Sequence, residues 1–266
     1  ERMPIPPLPV RLAEKKMDLP SLADLVEGRV YRWSVVDEVV ERLRRGEDLV
    51  LVGPAASGKT YSLAQAGWEL STSGRLVFYV NCQVEGESLR KIDLPSLGDR
   101  LKPLVGRRAW RALLRRMIFI LDRAEAAEKL VRDVYLGLGR LSAVAIGTRR
   151  SLVRPRERTG GVMGWENPLY GVPEVRVELG DEELVGFARW LCESRGIEAS
   201  ERELRNLVEG SGRNPLFMDV LTMGGRPRMG SREEVEESLR EAVLEEFDAV
   251  VDEGGWLRGL ILLAAS

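Results

Sequence analysis

An eight-residue loop, set between an apolar segment and a helical pattern, limits the fold of this chain more than any other feature. The loop reads Gly53-Pro54-Ala55-Ala56-Ser57-Gly58-Lys59-Thr60 and matches G-x-x-x-x-G-K-[ST] in its required strand-loop-helix setting. Two glycines let the backbone curl so that successive N–H groups point inward, and the start of the following helix adds positive potential. The sequence therefore predicts a site for a chain of phosphates at one edge of a sheet.

The residues at the end of this loop have separate predicted roles. Lys59 is expected to reach the β- and γ-phosphates of a nucleotide, and the Thr60 hydroxyl is expected to bind Mg²⁺. The remaining nucleotide contacts are expected from the backbone of Gly53 through Tyr61. ATP or ADP and Mg²⁺ are thus the predicted cofactors. The alternative is a glycine-rich turn that binds no ligand.

Short apolar segments alternate with helical patterns from residue 24 to about residue 180. The predicted strands cover residues 49–52, 76–81, 117–121, 143–146 and 175–179. All are short and rich in branched aliphatic side chains, as strands buried on both faces should be. The pattern predicts an α/β fold, a five-stranded parallel sheet with helices on both faces.

The pattern changes along the chain and predicts four parts. These are a Pro-rich extended arm at 1–23, a P-loop domain at 24–180, an α-helical lid at 181–253 and the start of a truncated C-terminal domain at 254–266. Within the lid, Asp181 is expected to cap a first helix, and Ser200 with Glu203 forms a Ser-x-x-Glu capping box for a second helix that Gly210 ends. A third helix is expected over 231–251.

A carboxylate is predicted beside the phosphate loop. A P-loop site needs one at the end of a neighbouring strand to hold the water shell of Mg²⁺, and Asp122 ends the apolar segment 117–122. The alternative is an Asp that caps the next helix. The following residue is Arg123, so the nearest carboxylate that could orient an attacking water is Glu125; the alternative is a solvated Glu. Slow hydrolysis is the expected consequence.

Two further positions are candidates for nucleotide contacts. Arg149 follows the fourth predicted strand, where a cation would lie beside the γ-phosphate; the alternative is a surface Arg. Pro215 ends the segment Gly212-Arg-Asn-Pro and could open a lid helix that covers the adenine. The alternative there is a simple turn between helices.

Together, the loop at 53–60, Asp122, Thr148-Arg149 and the segment 212–215 resemble the archaeal ATPase group within the AAA+/STAND P-loop families. The resemblance spans residues 24–266. It implies ATP rather than GTP, a lid whose turn at Pro215 touches the base, and a winged-helix domain whose first helix would be 256–264. Gly28-Arg29 is similar to a Gly-Arg pair of these families, which implies a nucleotide contact for Arg29.

Composition removes several classes of protein. The chain has no histidine, which excludes Ser-His-Asp and Cys-His catalysis and His-ligated metals. Cys82 and Cys192 are far apart and form no Cys-x-x-Cys pair. No apolar stretch approaches the roughly 20 residues that cross a bilayer, so the expectation is a cytoplasmic protein without membrane contact. Few amides and many charged residues also favour a thermophile, and a GC-rich genome is the alternative explanation for the many arginines.

The sequence therefore predicts an ATP-binding ATPase of AAA+/STAND type. Slow Mg²⁺-dependent hydrolysis would drive a nucleotide-dependent conformational switch. The main alternative is a DNA-linked AAA+ ATPase, like an initiator or a transposition loader, that assembles on DNA. The other two alternatives are a P-loop kinase and a scaffold that holds nucleotide without hydrolysing it. Expected partners are nucleotide, further copies of the chain in a homo-oligomer, and protein or DNA through the C-terminal domain.

Overall fold

The computed structural model describes residues 22–82, 115–127, 142–149, 151–153, 168–223 and 228–239, with residues 108, 112, 131, 132, 135 and 136. The chain divides into two compact units, and the division lies between Glu178 and Leu179. Nearly all of the predicted arm, and all of 254–266, lie outside the described residues. The four-part domain organisation stays a prediction.

The first unit is built on a five-stranded sheet, and every observed pairing in it is parallel. The strands are β1 (Leu49–Val52), β2 (Leu76–Asn81), β3 (Met117–Asp122), β4 (Ala143–Thr148) and β5 (Glu174–Arg176). The predicted fold class is confirmed. β3 and β4 run longer than predicted, whereas β5 is shorter and begins one residue earlier than the predicted strand over 175–179.

The strand order is β2-β3-β4-β1-β5, which corrects one expectation. Asp122 was expected on a strand neighbouring the phosphate loop, but β4 lies between β1 and β3. Val52 pairs with Thr148, and Leu121 pairs with Ile146, so the three strands end at the same edge. Asp122 reaches the loop across the end of β4.

Helices α1 (Leu22–Val26), α2 (Val35–Arg45) and α3 (Lys59–Thr72) belong to this unit. The buried residues of α2 recur every three or four positions, which gives it one apolar face: Val36, Val39, Val40 and Leu43. Acidic residues fill its first turn and arginines its last, as the helix dipole favours. Gly46 ends the helix in the left-handed conformation. α2 and α3 pack against each other and against the sheet.

The sheet is covered on both faces, because successive strand residues point to opposite sides. On one side, the Cδ1 atom of Ile120 lies beneath Gly67 of α3. On the other side, Val50, Phe119 and Val144 form a cluster with Val131, which lies in a helical segment. Burying each large aliphatic side chain of these layers contributes roughly 1.5–3 kcal/mol. The two layers hold the strand ends in fixed positions.

The second unit is helical where it is described. It contains α4 (Asp181–Ser194), α5 (Glu201–Gly210), α6 (Pro215–Met223) and helical residues 232–239. The predicted capping box is confirmed, since the Ser200 Oγ accepts the Glu203 N–H while Glu203 accepts the Ser200 N–H. The predicted cap at Asp181 is wrong by one position. Gly180 is the N-cap, and Asp181 is the first helical residue, paired with Arg213.

A short turn joins α5 to α6. Arg213 has a φ of 61°, and Pro215 is the first residue of α6, where its missing N–H is not needed. The Asn214 side chain accepts a hydrogen bond from the Leu216 N–H at 3.0 Å. The expectation that Pro215 opens a helix is therefore correct. Separately, none of the helices in the described part of the chain has the length and apolar character needed to cross a membrane.

Candidate functional site

The two glycines of the phosphate loop are required by their surroundings. Gly58 has a φ of +82°, and a Cβ added there would lie 2.8 Å from two atoms of the Trp33 indole. A Cβ on Gly53 would lie 2.7 Å from the Ser57 Oγ and 3.1 Å from the Val177 Cβ. Any larger residue would force the loop away from this shape. Both positions match their predicted role in shaping the loop backbone.

Lys59 lies within the loop and is only 9% exposed. Its amine donates hydrogen bonds to the carbonyl oxygens of Gly53, at 2.8 Å, and Pro54, and to the Ser57 Oγ at 3.3 Å. Desolvation lowers the pKa of this amine, although the nearby charges of Asp122 and Glu125 act in the opposite direction. A buried cation at the start of a helix favours a multiply charged anion.

Thr60 and Asp122 meet beside the loop, although they are 62 positions apart in the chain. The Thr60 hydroxyl donates to Oδ2 of Asp122 at 2.8 Å, and Asp122 is 1% exposed. The same oxygen accepts a second hydrogen bond, from the Tyr79 hydroxyl at 2.9 Å. Burial raises the pKa of the Tyr79 phenol well above its ordinary value, and the Asp122 charge adds to this rise. Tyr79 therefore stays a donor.

The end of β4 supplies the opposite wall. A Cβ added to Gly147 would lie 2.8 Å from Oδ1 of Asp122, so the glycine leaves room for this carboxylate. Arg149 follows immediately and forms an ion pair with Glu125, with 3.3 Å between its Nε and a carboxylate oxygen. The Arg149 backbone N–H donates to the other oxygen of Glu125. Two side chains with separate predicted roles are thus direct partners.

A cleft brings half of the predicted residues together. It is lined by groups from the loop, from β3 and the turn after it, and from the end of β4: Ala55, Ala56, Lys59, Thr60, Asp122, Arg123, Glu125, Gly147, Thr148 and Arg149. The amine and the N–H groups at the start of α3 fit a chain of phosphates, and the hydroxyl and carboxylate oxygens of Thr60 and Asp122 are the hard ligands that Mg²⁺ prefers. The residues present fit both groups.

Seven predicted residues lie outside this cleft lining. Four of them, Gly53, Pro54, Ser57 and Gly58, belong to the phosphate loop, and the other three are Tyr61, Arg29 and Pro215. Tyr61 is the third residue of α3, with 39% of its surface exposed. Arg29 is exposed and pairs with Asp24 at 3.3 Å and Glu27 at 2.9 Å. Pro215 belongs to the second unit. Nucleotide contacts by Tyr61, Arg29 and Pro215 stay predictions.

Two residues of the site were missed in the sequence. Tyr79 was assigned only to a strand, although a phenol within an apolar strand is a signal for a polar partner at that position. Trp33 precedes α2 and covers Gly58, and no local pattern marks such a contact because the two residues are 25 positions apart. Trp33 is buried, with 3% of its surface exposed. Its ring makes an edge-to-face contact with the Tyr31 ring, with 4.8 Å between the ring centroids.

The sheet order, the loop and the carboxylate at the end of β3 define a P-loop ATPase fold of the AAA+ type. A Walker-type ATPase of Pyrococcus abyssi is similar, at 14% identity and a TM-score of 0.52, over 87% of this chain and 77% of that one. Domain III of the Thermotoga maritima replication initiation protein DnaA has 16% identity and a TM-score of 0.48, over 84% and 93%. A DNA replication initiation factor has 15% identity and a TM-score of 0.46, over 89% and 66%, so this chain spans just under two thirds of its length. At these identities the likeness shows the fold alone.

No protein-family model matches the chain, and no curated protein matches it.

Proposed function

We propose that this chain binds ATP with Mg²⁺ and hydrolyses it slowly, as a nucleotide-dependent switch of AAA+/STAND type. The observation that carries the proposal is the meeting of three groups from two distant parts of the chain at one cleft. These are the buried amine of Lys59, the Thr60 hydroxyl and the Asp122 carboxylate. A structural turn needs neither a buried cation nor a buried carboxylate.

In this proposal each side chain has a limited task. Lys59 and the loop N–H groups bind the β- and γ-phosphates, while Thr60 and Asp122 hold the metal. Mg²⁺, when bound, supplies positive charge that neutralises the phosphate oxygens. Arg149 lines the same cleft, with its side chain 61% exposed and paired with Glu125, which supports a role in sensing the γ-phosphate.

Slow hydrolysis follows from the residues after Asp122. Arg123 has a φ of 55°, so the chain turns sharply there and offers a cation where a second carboxylate would serve as base. Glu125 lines the cleft, but its carboxylate binds both the side chain and the backbone of Arg149. A carboxylate held by these two contacts is not free to turn toward an attacking water. We therefore place Glu125 as the only candidate for orienting water among the described cleft residues, and expect a low rate.

The switch itself is the finer part of the proposal. β1, which leads into the loop, pairs with β5, and the helical unit begins shortly after β5, so a change at the loop can reach the start of that unit through the sheet. Pro215, at the start of α6, is the proposed contact with the adenine, and Arg29 is the proposed contact from the N-terminal side. An archaeal source and a winged-helix continuation rest on the resemblance, and a thermophilic source rests on the composition of the chain.

Nucleotide binding tests the first step. The dissociation constants of ATP and ADP are measured by calorimetry with Mg²⁺ for the wild type, Lys59→Ala and Arg45→Ala. Losing one charged hydrogen bond costs about 1.5–3 kcal/mol, so Lys59→Ala should weaken ATP at least about tenfold. Arg45 is an exposed cation at the end of α2 and is the matched control, with affinity unchanged. Equal affinity for ATP in Lys59→Ala and the wild type would refute the proposal.

The DNA-linked alternative makes a different prediction. An ATPase that assembles on DNA should hydrolyse faster and form larger oligomers when duplex DNA is added. The switch does not need DNA and should retain ADP after purification, which denaturation and chromatography of the released nucleotide would detect. DNA-stimulated turnover from a chain purified without nucleotide would favour the alternative.

A further inference from the structure

Two elements hold the carboxylate of Asp122, and a third leaves room for it. Its Oδ2 atom accepts hydrogen bonds from Thr60 of α3, at 2.8 Å, and from Tyr79 of β2, at 2.9 Å. Its Oδ1 atom lies beside Gly147 of β4, where a Cβ would come within 2.8 Å. The two hydrogen bonds therefore fix Oδ2, and Gly147 leaves the space beside Oδ1.

The two donors to Oδ2 are not equivalent. Thr60 lies in the cleft and is itself a proposed Mg²⁺ ligand, so its oxygen is shared between two tasks. Tyr79 does not line the cleft and has no such second task. Its hydroxyl contacts Asp122 from the side of β2. Of these two donors, only Tyr79 can hold the carboxylate without competing for the metal.

Strand geometry explains why Tyr79 reaches this position. Tyr79 pairs in register with Ile120, and Asp122 is two residues further along β3, on the same face of the sheet. The side chain therefore needs only to lean along the strand to place its hydroxyl on Oδ2. The preceding residue, Phe78, stacks on Phe119, with ring centroids 5.0 Å apart. This stacking anchors β2 beside β3.

We infer that Tyr79 is a positioning residue that holds Asp122 in the orientation required for binding Mg²⁺. The inference rests on the proposed function, because it assumes that Asp122 takes part in metal binding. Partners that orient a metal ligand typically change metal affinity by about 10- to 100-fold when they are removed. Tyr79→Phe should thus raise the Mg²⁺ requirement of nucleotide binding and leave the affinity for nucleotide without Mg²⁺ unchanged.

Fluorescent N-methylanthraniloyl-ADP and a Mg²⁺ titration test this with the full chain. The affinity for the probe is measured first in EDTA and then at rising Mg²⁺, for the wild type, Tyr79→Phe and Tyr135→Phe. Tyr135 is a matched control, since its hydroxyl also donates to a carboxylate, Asp48, at 2.7 Å, but away from the cleft. We expect the Mg²⁺ midpoint to rise about tenfold in Tyr79→Phe. Tyr135→Phe should match the wild type.

The outcomes distinguish a failure of this inference from a failure of the proposed function. If Mg²⁺ strengthens binding to the wild type and the midpoint is the same in Tyr79→Phe, the inference is wrong and the proposed function stands. If Tyr79→Phe weakens binding equally with and without Mg²⁺, the residue supports the fold only and the inference is again wrong. If the wild type binds no nucleotide, both fail.

A second measurement needs no ligand and covers the case of a weakened fold. Urea unfolding is compared for Tyr79→Phe in the wild-type and Asp122→Asn backgrounds, as a double-mutant cycle. A destabilisation by Tyr79→Phe that shrinks in the Asp122→Asn background supports the contact. Equal destabilisation in both backgrounds would show that the hydroxyl acts elsewhere, which would overturn the inference.

Discussion

Gly58→Ala is the perturbation whose effect can be worked out most fully from the structure. Two separate penalties apply. An alanine at a φ of +82° costs about 1–2 kcal/mol in backbone energy. Its Cβ would also lie 2.8 Å from the Trp33 ring, and overpacking of this kind costs about 1–3 kcal/mol. The expected loss of unfolding free energy is therefore about 2–5 kcal/mol.

Two comparisons separate the penalties. Gly46 has a φ of +78° with nothing within 4 Å of its added Cβ, so Gly46→Ala should lose only the backbone part, about 1–2 kcal/mol. In a Trp33→Leu background, the loss of unfolding free energy caused by Gly58→Ala should fall to about the same value, because the indole ring is absent. Urea unfolding followed by far-ultraviolet circular dichroism is the assay, since it does not depend on indole fluorescence. Equal losses for Gly58→Ala and Gly46→Ala would refute the role of Trp33.

Three further predictions concern charge and capping. Desolvation raises the pKa of Asp48 above its ordinary 3.8, so its contribution to stability is full below that pH and is lost as pH rises through the folded-state pKa. The melting temperature of Asp48→Asn should therefore rise relative to that of the wild type as pH increases from 3.8. A difference in melting temperature that does not change with pH would contradict this. Ser200→Ala should lower the free energy of unfolding in urea by about 0.5–2 kcal/mol, because the cap on α5 is lost. Ser194→Ala, at the last residue of α4, should lower it by less. Arg149→Ala should weaken ATP about tenfold more than ADP in calorimetry, because a γ-phosphate contact is lost; equal weakening of both nucleotides would remove Arg149 from this role.

The strands and the loop could be predicted because their signals are local. β1 and β2 have the bounds expected from apolar, β-branched runs, and the loop pattern placed Lys59 and Thr60 at the start of α3. The capping box at Ser200 is also a local signal. In each case the residues that interact lie within a few positions of one another, so their spacing determines the contact.

The remaining features depend on contacts between distant parts of the chain. Apolar strands have the same pattern whatever their order, so the position of β4 between β1 and β3 could not be predicted from hydrophobicity. The ion pair of Glu125 with Arg149, and the hydrogen bond of Tyr79 with Asp122, join residues from different elements. The misplaced cap at Asp181 has another cause. An acidic residue is favourable both at the N-cap and in the first turn, so composition alone leaves its position open by one residue.

The segment before α2 also has a consequence for the smallest piece of this chain that could keep its phosphate loop. Trp33 covers Gly58, and the Tyr31 carbonyl accepts a hydrogen bond from the Gln65 side chain of α3 at 2.6 Å. The loop and its helix are thus supported from a region that precedes β1 by more than a dozen residues. A chain shortened to begin at β1 would keep every residue of the phosphate loop but lose contacts that support the shape of the loop. The smallest piece that keeps these contacts therefore includes Tyr31.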